Sequence, residues 1–144
     1  MRSPNKLGMI GWIGSLALIL AAGLATAAVG ATAPSDPFVV GVDSDGVQRV
    51  TIQLDDFYTP SHLVVQAGKP VELVLVSKTM ITPHNFILKE GGLSITQEVG
   101  AGNTETVRFT PTEPGTFTFY CDKQLLFFKS HREKGMEGRL EVRP

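Results

Sequence analysis

The feature that most constrains the fold is a series of short segments in which apolar and polar residues alternate. In the clearest, Val50, Ile52 and Leu54 alternate with polar residues, which is typical of a half-buried strand. Segments of similar character cover residues 63–65, 71–78, 84–89, 95–99, 104–109, 116–121 and 138–142. Turn-forming residues separate them about every eight to twelve positions, and only 125–134 leaves room for a short helical turn. The pattern predicts an all-β protein, an antiparallel β-sandwich.

The first 31 residues differ from this pattern and predict a targeting segment. Arg2 and Lys6 precede an almost uninterrupted apolar run at 7–29, and small residues such as Ala25 and Ala27 offer cleavage sites. A run of about 20 residues is also long enough to cross a bilayer. Residues 1–31 are therefore predicted to be a signal peptide or an uncleaved membrane anchor helix. Residues 32–46 are predicted to be a linker and 47–144 the folded domain, in the periplasm or another extracytoplasmic compartment.

The single cysteine needs an explanation in an exported chain. Exported domains usually pair their cysteines, and Cys121 has no partner within the chain. It is an inert buried thiol, an intermolecular bridge or a metal ligand. The formal net charge of −1 and the lack of base-stacking motifs argue against binding to nucleic acid.

Other metal-ligating side chains surround this cysteine in the sequence. Phe117, Phe119 and Cys121 share one face of the predicted strand, so the thiol continues a row of core aromatics. His131 and Met136 follow in the loop before the last strand, and His84 opens an earlier strand. One thiolate, two imidazoles and a thioether are the ligands of mononuclear copper electron-transfer sites. Whether His84 lies at the same end of the sandwich depends on the strand topology.

The chain resembles the cupredoxins, the superfamily of plastocyanin and azurin. The resemblance is carried by Pro83-His84-Asn85-Phe86, by Phe119-Tyr120-Cys121, and by His131 and Met136. The turn at 65–71 and the approach to the cysteine strand at 110–116 are similar to cupredoxin sequences as well. The resemblance covers roughly residues 51–142, and it implies a Greek-key β-sandwich, one bound copper ion and one-electron transfer.

Carried over by position, the resemblance makes His84 and His131 the equatorial nitrogen ligands. Cys121 becomes the equatorial thiolate and Met136 the axial thioether. Asn85 becomes a residue whose hydrogen bonds tie the two ligand-bearing segments together.

One departure from the family pattern is the length of the segment between Cys121 and His131, residues 122–130, which exceeds plastocyanin-like and azurin-like loops. It contains four consecutive apolar residues, Leu125 to Phe128. The long loop would loosen the site, or the four apolar side chains would fold down over the sandwich and shield it, or they would remain exposed as a docking patch. We expect partial burial with one exposed edge.

The remaining candidates are assigned plainer roles. His62 is expected to be solvated or to cap a turn, and Met80 to pack in the domain. The basic residues around the ligand loop are expected to form a solvated rim, or to steer an acidic partner; they are Lys123, Lys129, Arg132, Lys134 and Arg139.

Together these observations predict a monomeric copper protein that passes single electrons between redox proteins, one of them a candidate membrane respiratory complex. It is not expected to be an enzyme, and it would touch a membrane only through the N-terminal segment. Two alternatives stay open: a copper chaperone, acquisition or resistance protein, and a metal-free β-sandwich subunit that binds other proteins.

Overall fold

The computed structural model describes residues 36–144, which form two packed β-sheets with one short helical turn. The predicted N-terminal signal or anchor lies outside the described residues. Within the described part, no helix is long and apolar enough to span a membrane. The ten strands are β1 (Phe38–Val39), β2 (Gln48–Leu54), β3 (Tyr58–Thr59), β4 (His62–Gln66), β5 (Val71–Ser77), β6 (His84–Leu88), β7 (Ile95–Val99), β8 (Thr104–Phe109), β9 (Gly115–Tyr120) and β10 (Glu137–Arg143).

The strands are arranged in a six-stranded sheet, β1-β4-β10-β9-β6-β7, and a four-stranded sheet, β3-β2-β5-β8. The predicted sandwich is confirmed, but the sheets are mixed. The pairs β1–β4, β4–β10 and β2–β5 are parallel. Alternation along one strand reports which face is buried and carries no information on the direction of its neighbours, so the sequence could not reveal these parallel pairs.

The core lies between the two sheets and follows the predicted alternation. In β2, Val50, Ile52 and Leu54 are buried while the intervening residues are exposed. In β9, Phe119 is fully buried and stacks on Phe86 of β6, with ring centroids 4.9 Å apart. This contact joins the strands that precede Cys121 and follow His84.

The segment predicted to be a linker contributes to the sandwich. Phe38 and Val39 pair with β4, and the Val40 side chain is buried in the core. A two-residue strand is too short to show alternation, and Pro37 and Gly41 on either side of it are typical of turns. The structure therefore differs from the predicted linker from Phe38 onward.

The strand order brings three loops to one end of the sandwich, which we call the loop end. β2 finishes there and leads into residues 55–57, β5 leads into residues 78–83, and β9 leads into residues 121–136. The antiparallel pair β6–β9 aligns Ile87 with Tyr120, so the start of β6 lies beside the end of β9. This answers the topological question that the sequence left open.

Candidate metal centre

Three predicted ligands converge at the loop end. His84 begins β6, Cys121 directly follows β9, and His131 precedes the helical turn Arg132–Lys134. Their ligand atoms all lie within 4.8 Å of one another, and Cys121 Sγ is 3.4 Å from His131 Nδ1. The two imidazole rings have centroids 4.9 Å apart. The described residues therefore bring one sulfur and two nitrogen donors within reach of a single ion.

The hydrogen bonds around His84 determine which ring nitrogen carries its proton. The Thr79 hydroxyl donates its only hydrogen to the Thr82 carbonyl at 2.6 Å, so it must accept from His84 Nε2, 3.2 Å away. Neutral His84 is thus protonated at Nε2 and has its lone pair at Nδ1. Within residues 36–144, Nδ1 is the one buried side-chain nitrogen or oxygen without a hydrogen-bond partner. An unpartnered buried lone pair beside a thiol and a second imidazole fits a metal ligand.

The Thr79 hydroxyl bond leads to a prediction for Thr79→Val, which keeps the shape of the side chain and removes its hydroxyl. His84 would lose the acceptor that fixes its tautomer, and such outer partners of metal ligands typically contribute about 10- to 100-fold to metal affinity. We expect copper affinity to fall by about that factor, measured by competition with a chelator. Thr82→Val is the matched control, because Thr82 contributes only its backbone carbonyl. Equal affinities in the two variants would contradict this role for Thr79.

Burial sets the protonation of all three side chains before any metal binds. It lowers the pKa of His84 and of His131, and the other imidazole adds to this effect for His84. Both rings are therefore neutral at pH 7, the form in which an imidazole nitrogen binds a metal. Burial also raises the pKa of the Cys121 thiol, although the Asn85 N–H, 3.5 Å from Sγ, favours the thiolate. A metal cation bound by these side chains would stabilise the thiolate.

Backbone hydrogen bonds close the loop of residues 121–136 at its base. His131 N–H donates to the Lys123 carbonyl at 2.8 Å, and Met136 N–H donates to the His131 carbonyl at 2.9 Å. Cys121 N–H then donates to the Met136 carbonyl at 3.1 Å. Gly135 has φ +98°, a conformation that favours glycine, and it ends the helical turn just before Met136. These bonds fix the ends of the loop.

Met136 is fully buried, and its backbone is bonded to both Cys121 and His131. Its position is compatible with the predicted axial role, and that role remains a prediction. Gly135 and the loop-closing hydrogen bonds hold Met136 in the same segment as Cys121 and His131.

Asn85 ties the two ligand-bearing segments together, as predicted. Its Nδ2 donates to Asp122 Oδ1 at 2.7 Å, and its Oδ1 accepts from Asp122 N–H at 3.1 Å. Its backbone carbonyl accepts from the Tyr58 hydroxyl at 2.6 Å. Burial raises the pKa of Tyr58, which keeps that hydroxyl protonated as a donor. The residue after His84 is thus fixed to the residue after Cys121.

Sequence reasoning missed the three residues that hold the ligands in place, Thr79, Asp122 and Tyr58. Thr79 bonds to His84, whereas Asp122 and Tyr58 both bond to Asn85. Each of these hydrogen bonds forms only when the chain has folded. Asp122 alone left a signal, because it directly follows the cysteine and the sequence predicted that Asn85 would reach across to that segment.

His62 lies outside the metal centre. Its Nε2 is 3.2 Å from Glu141 on the neighbouring strand β10, and it is not part of the three-donor group.

The predicted basic rim is partly neutralised, since Lys123 pairs with Glu98 and Arg132 pairs with Glu137 at 2.5 Å. Met80 was predicted to pack in the domain, but its side chain is 86% exposed.

The apolar quartet is also more exposed than predicted. Leu125, Leu126, Phe127 and Phe128 are 55%, 76%, 85% and 51% exposed. About half of the surface of Leu125 and Phe128 is covered, whereas Leu126 and Phe127 are mostly exposed, so the expected partial burial is limited to the two ends of the turn. A cavity of about 260 Å³ opens beside His84 and His131. Its other lining residues are Asp55, Asp56, Phe57, Thr79, Thr82, Leu125 and Lys134.

Comparison with known proteins agrees with this fold. The family model of the cupredoxin-like domain matches residues 15–136. Three solved structures have a similar fold. The metal-binding domain of a Cu(I)-exporting P-type ATPase from Streptococcus pneumoniae, determined with Cu(I), has a TM-score of 0.58 at 24% identity, covering 76% of this chain and 97% of that one. Auracyanin A, a blue copper protein from Chloroflexus aurantiacus, has a TM-score of 0.56 at 20% identity, covering 68% and 100%. Reduced auracyanin from Roseiflexus castenholzii has a TM-score of 0.56 at 21% identity, covering 67% and 97%.

Proposed function

The chain belongs to the cupredoxin-like domain family, and from that premise we propose that it is an exported copper protein that carries single electrons between redox partners. The observation that carries the proposal is the convergence of His84, Cys121 and His131, with ligand atoms within 4.8 Å and an unpartnered lone pair on His84. These three residues can hold one copper ion, with Met136 proposed as the axial ligand. When bound, copper supplies the one-electron couple between its Cu(I) and Cu(II) states.

The residues of the site are suited to rapid electron exchange because they are held before the metal binds. Cys121 is fixed at the end of a strand, His84 by Thr79, and His131 by a backbone bond to Lys123. Donors that do not move on a change of charge keep the reorganisation energy small. Cys121 and Met136 are fully buried, which excludes water from the sulfur side of the site.

His131 is the proposed exit for the electron. It is the only member of the three-donor group that is not fully buried, and it lines the open cavity. A redox protein docking at the loop end would approach this imidazole. The exposed Lys129 and Lys134 beside it would favour an acidic partner through electrostatic steering, which salt would weaken. We propose a monomer without enzymatic activity of its own, located outside the cytoplasm.

A copper-handling role is the second candidate, favoured by the similar fold of the metal-binding domain of a Cu(I) exporter. A carrier and a delivery protein differ in what happens to Cu(I). A carrier retains the ion in both oxidation states, whereas a delivery protein releases it to an acceptor.

The test is to load the full chain in detergent with Cu(II), then cycle it with ascorbate and ferricyanide in the presence of a Cu(I) chelator. We expect one copper per chain, an intense visible thiolate-to-copper band, and return of that band after each cycle. Loss of copper to the chelator on the first reduction would instead support delivery. A folded chain that binds no copper would overturn both the electron-carrier and the copper-delivery function, and it would favour a metal-free subunit that binds other proteins.

A further inference from the structure

Exposed apolar side chains are concentrated at the loop end of the sandwich. Residues 36–144 expose ten large apolar side chains, and seven of them lie on the three loops at this end. They are Phe57, Met80, Ile81, Leu125, Leu126, Phe127 and Phe128. Phe57 and Leu125 line the same cavity as Thr79 and Thr82, the residues on either side of Met80-Ile81, so the three loops adjoin each other. A soluble surface rarely leaves such a group uncovered without a binding role.

The most exposed part of this surface is the turn Leu125–Phe128, which two hydrogen bonds close. Phe128 N–H donates to the Leu125 carbonyl at 3.0 Å, and the Gln124 side chain donates to the Phe128 carbonyl at 2.7 Å. Leu126 adopts φ +52°, a conformation in which glycine or asparagine is usual. The chain thus has a leucine, 76% exposed, where the backbone favours a residue without such a side chain. The turn is thus closed at its two ends by hydrogen bonds, with its apolar side chains at the surface.

Basic residues surround the turn on both sides. Lys123 and Lys129 bracket the apolar residues, and within the described residues Lys129 forms no salt bridge, whereas Lys123 pairs with Glu98. Their aliphatic stems can lie along an apolar layer while their ammonium groups remain at its polar boundary. Asp55 and Asp56 at the cavity offset part of this charge. The apolar side chains must therefore supply most of the binding, and anionic groups on the partner only a part.

We propose that the loop end is a membrane-contacting surface, in which the turn Leu125–Phe128 inserts into the interfacial layer of a phospholipid bilayer that contains anionic headgroups. Leucine and phenylalanine side chains above flanking lysines are the composition of interfacial membrane segments. We favour a bilayer over a protein because four adjoining apolar side chains are each more than half exposed, and because the flanking Lys129 has no salt-bridge partner within residues 36–144; this combination suits an apolar layer with an anionic boundary. Insertion would hold the cavity and His131 at the membrane surface. The proposal does not depend on bound copper.

The test places a tryptophan at the tip of the turn in the full chain. The only native tryptophan, Trp12, is replaced by Phe, and Phe127→Trp is compared with Lys69→Trp in that background. Lys69 is exposed in the turn between β4 and β5, at the opposite end of the sandwich. Both proteins are reconstituted in vesicles of phosphatidylcholine with a minor fraction of phosphatidylglycerol, with or without lipids brominated near the headgroup. Both variants carry the same N-terminal segment, so any contribution of that segment to membrane binding is the same in the two proteins.

We expect emission from position 127 to shift to the blue and to be quenched by brominated lipid, while emission from position 69 changes in neither respect. The additional variant Leu126→Ser should reduce the quenching at 127, because it removes an inserting side chain from an exposed position where folding is unaffected. Equal quenching at both positions, or none at position 127, would overturn the proposal. The second result would instead favour a protein as the partner that covers the exposed apolar side chains. Circular dichroism and thermal unfolding of each variant check that the domain is folded, whether or not it binds copper.

Discussion

Cys121→Ser is expected to abolish the intense visible absorption of the copper-loaded protein. Cys121 is the only cysteine in the chain, so any thiolate-to-copper band must come from this residue. A serine hydroxyl stays protonated near neutral pH and is a poor copper ligand. We expect copper affinity to fall by more than about 100-fold, the upper range for residues that only support a ligand. Visible spectroscopy and chelator competition measure the two effects.

Two controls separate loss of the ligand from loss of the fold. The serine hydroxyl introduced by Cys121→Ser would meet the same Asn85 N–H that the Cys121 Sγ meets now, so thermal unfolding of the metal-free variant should change little. His62→Gln removes a histidine that pairs with Glu141 outside the donor group, and it should leave the band unchanged. If the serine variant kept an intense band, the copper assignment at this site would be wrong.

Much of the sandwich could be predicted from the sequence because alternate residues of a half-buried strand face the core and the solvent, which leaves a local pattern of apolar and polar residues. Val50, Ile52 and Leu54 alternate in the sequence and are buried in the structure for the same reason. Cys121 continues the buried face of Phe119, and the structure places its thiol at the strand end as expected. The mixed direction of the strands and the two-residue strand β1 depend on partners far away in sequence, which no local pattern reports.

In the candidate site, too, some residues could be predicted from the sequence and others could not. Its converging donors, His84, Cys121 and His131, could be picked out because cysteine and histidine are few and chemically distinctive, but that they meet at one end of the sandwich depended on the strand topology. The supporting bonds could not, since Thr79 or Tyr58 is an ordinary residue until a particular acceptor lies beside it. The high exposure of Leu126 and Phe127 was not predicted, because apolar character normally indicates burial and the sequence does not show which side chains of a loop reach the sandwich.

Asn85→Leu is expected to destabilise the domain and to speed copper loss. The substitution keeps a branched side chain of similar shape but removes the paired hydrogen bonds to Asp122, at 2.7 and 3.1 Å. Breaking bonds of a buried polar group costs about 1–3 kcal/mol, and we expect the free energy of unfolding to fall by that amount. The segment that carries Cys121 would then lose its tie to the strand that carries His84. Copper should dissociate about 10- to 100-fold faster.

The matched control is Gln97→Leu on the adjacent strand β7. Its amide makes a single exposed bond to the Glu98 carbonyl, so the same loss of polarity there should alter neither the unfolding free energy nor copper dissociation substantially. Denaturant unfolding measures the first quantity, and stopped-flow transfer to a chelator measures the second. Because Asn85 contacts Cys121 only through its backbone N–H, that contact survives in the leucine variant. Unchanged copper dissociation would therefore mean that this N–H and the loop-closing bonds hold the thiolate without the Asn85–Asp122 pair.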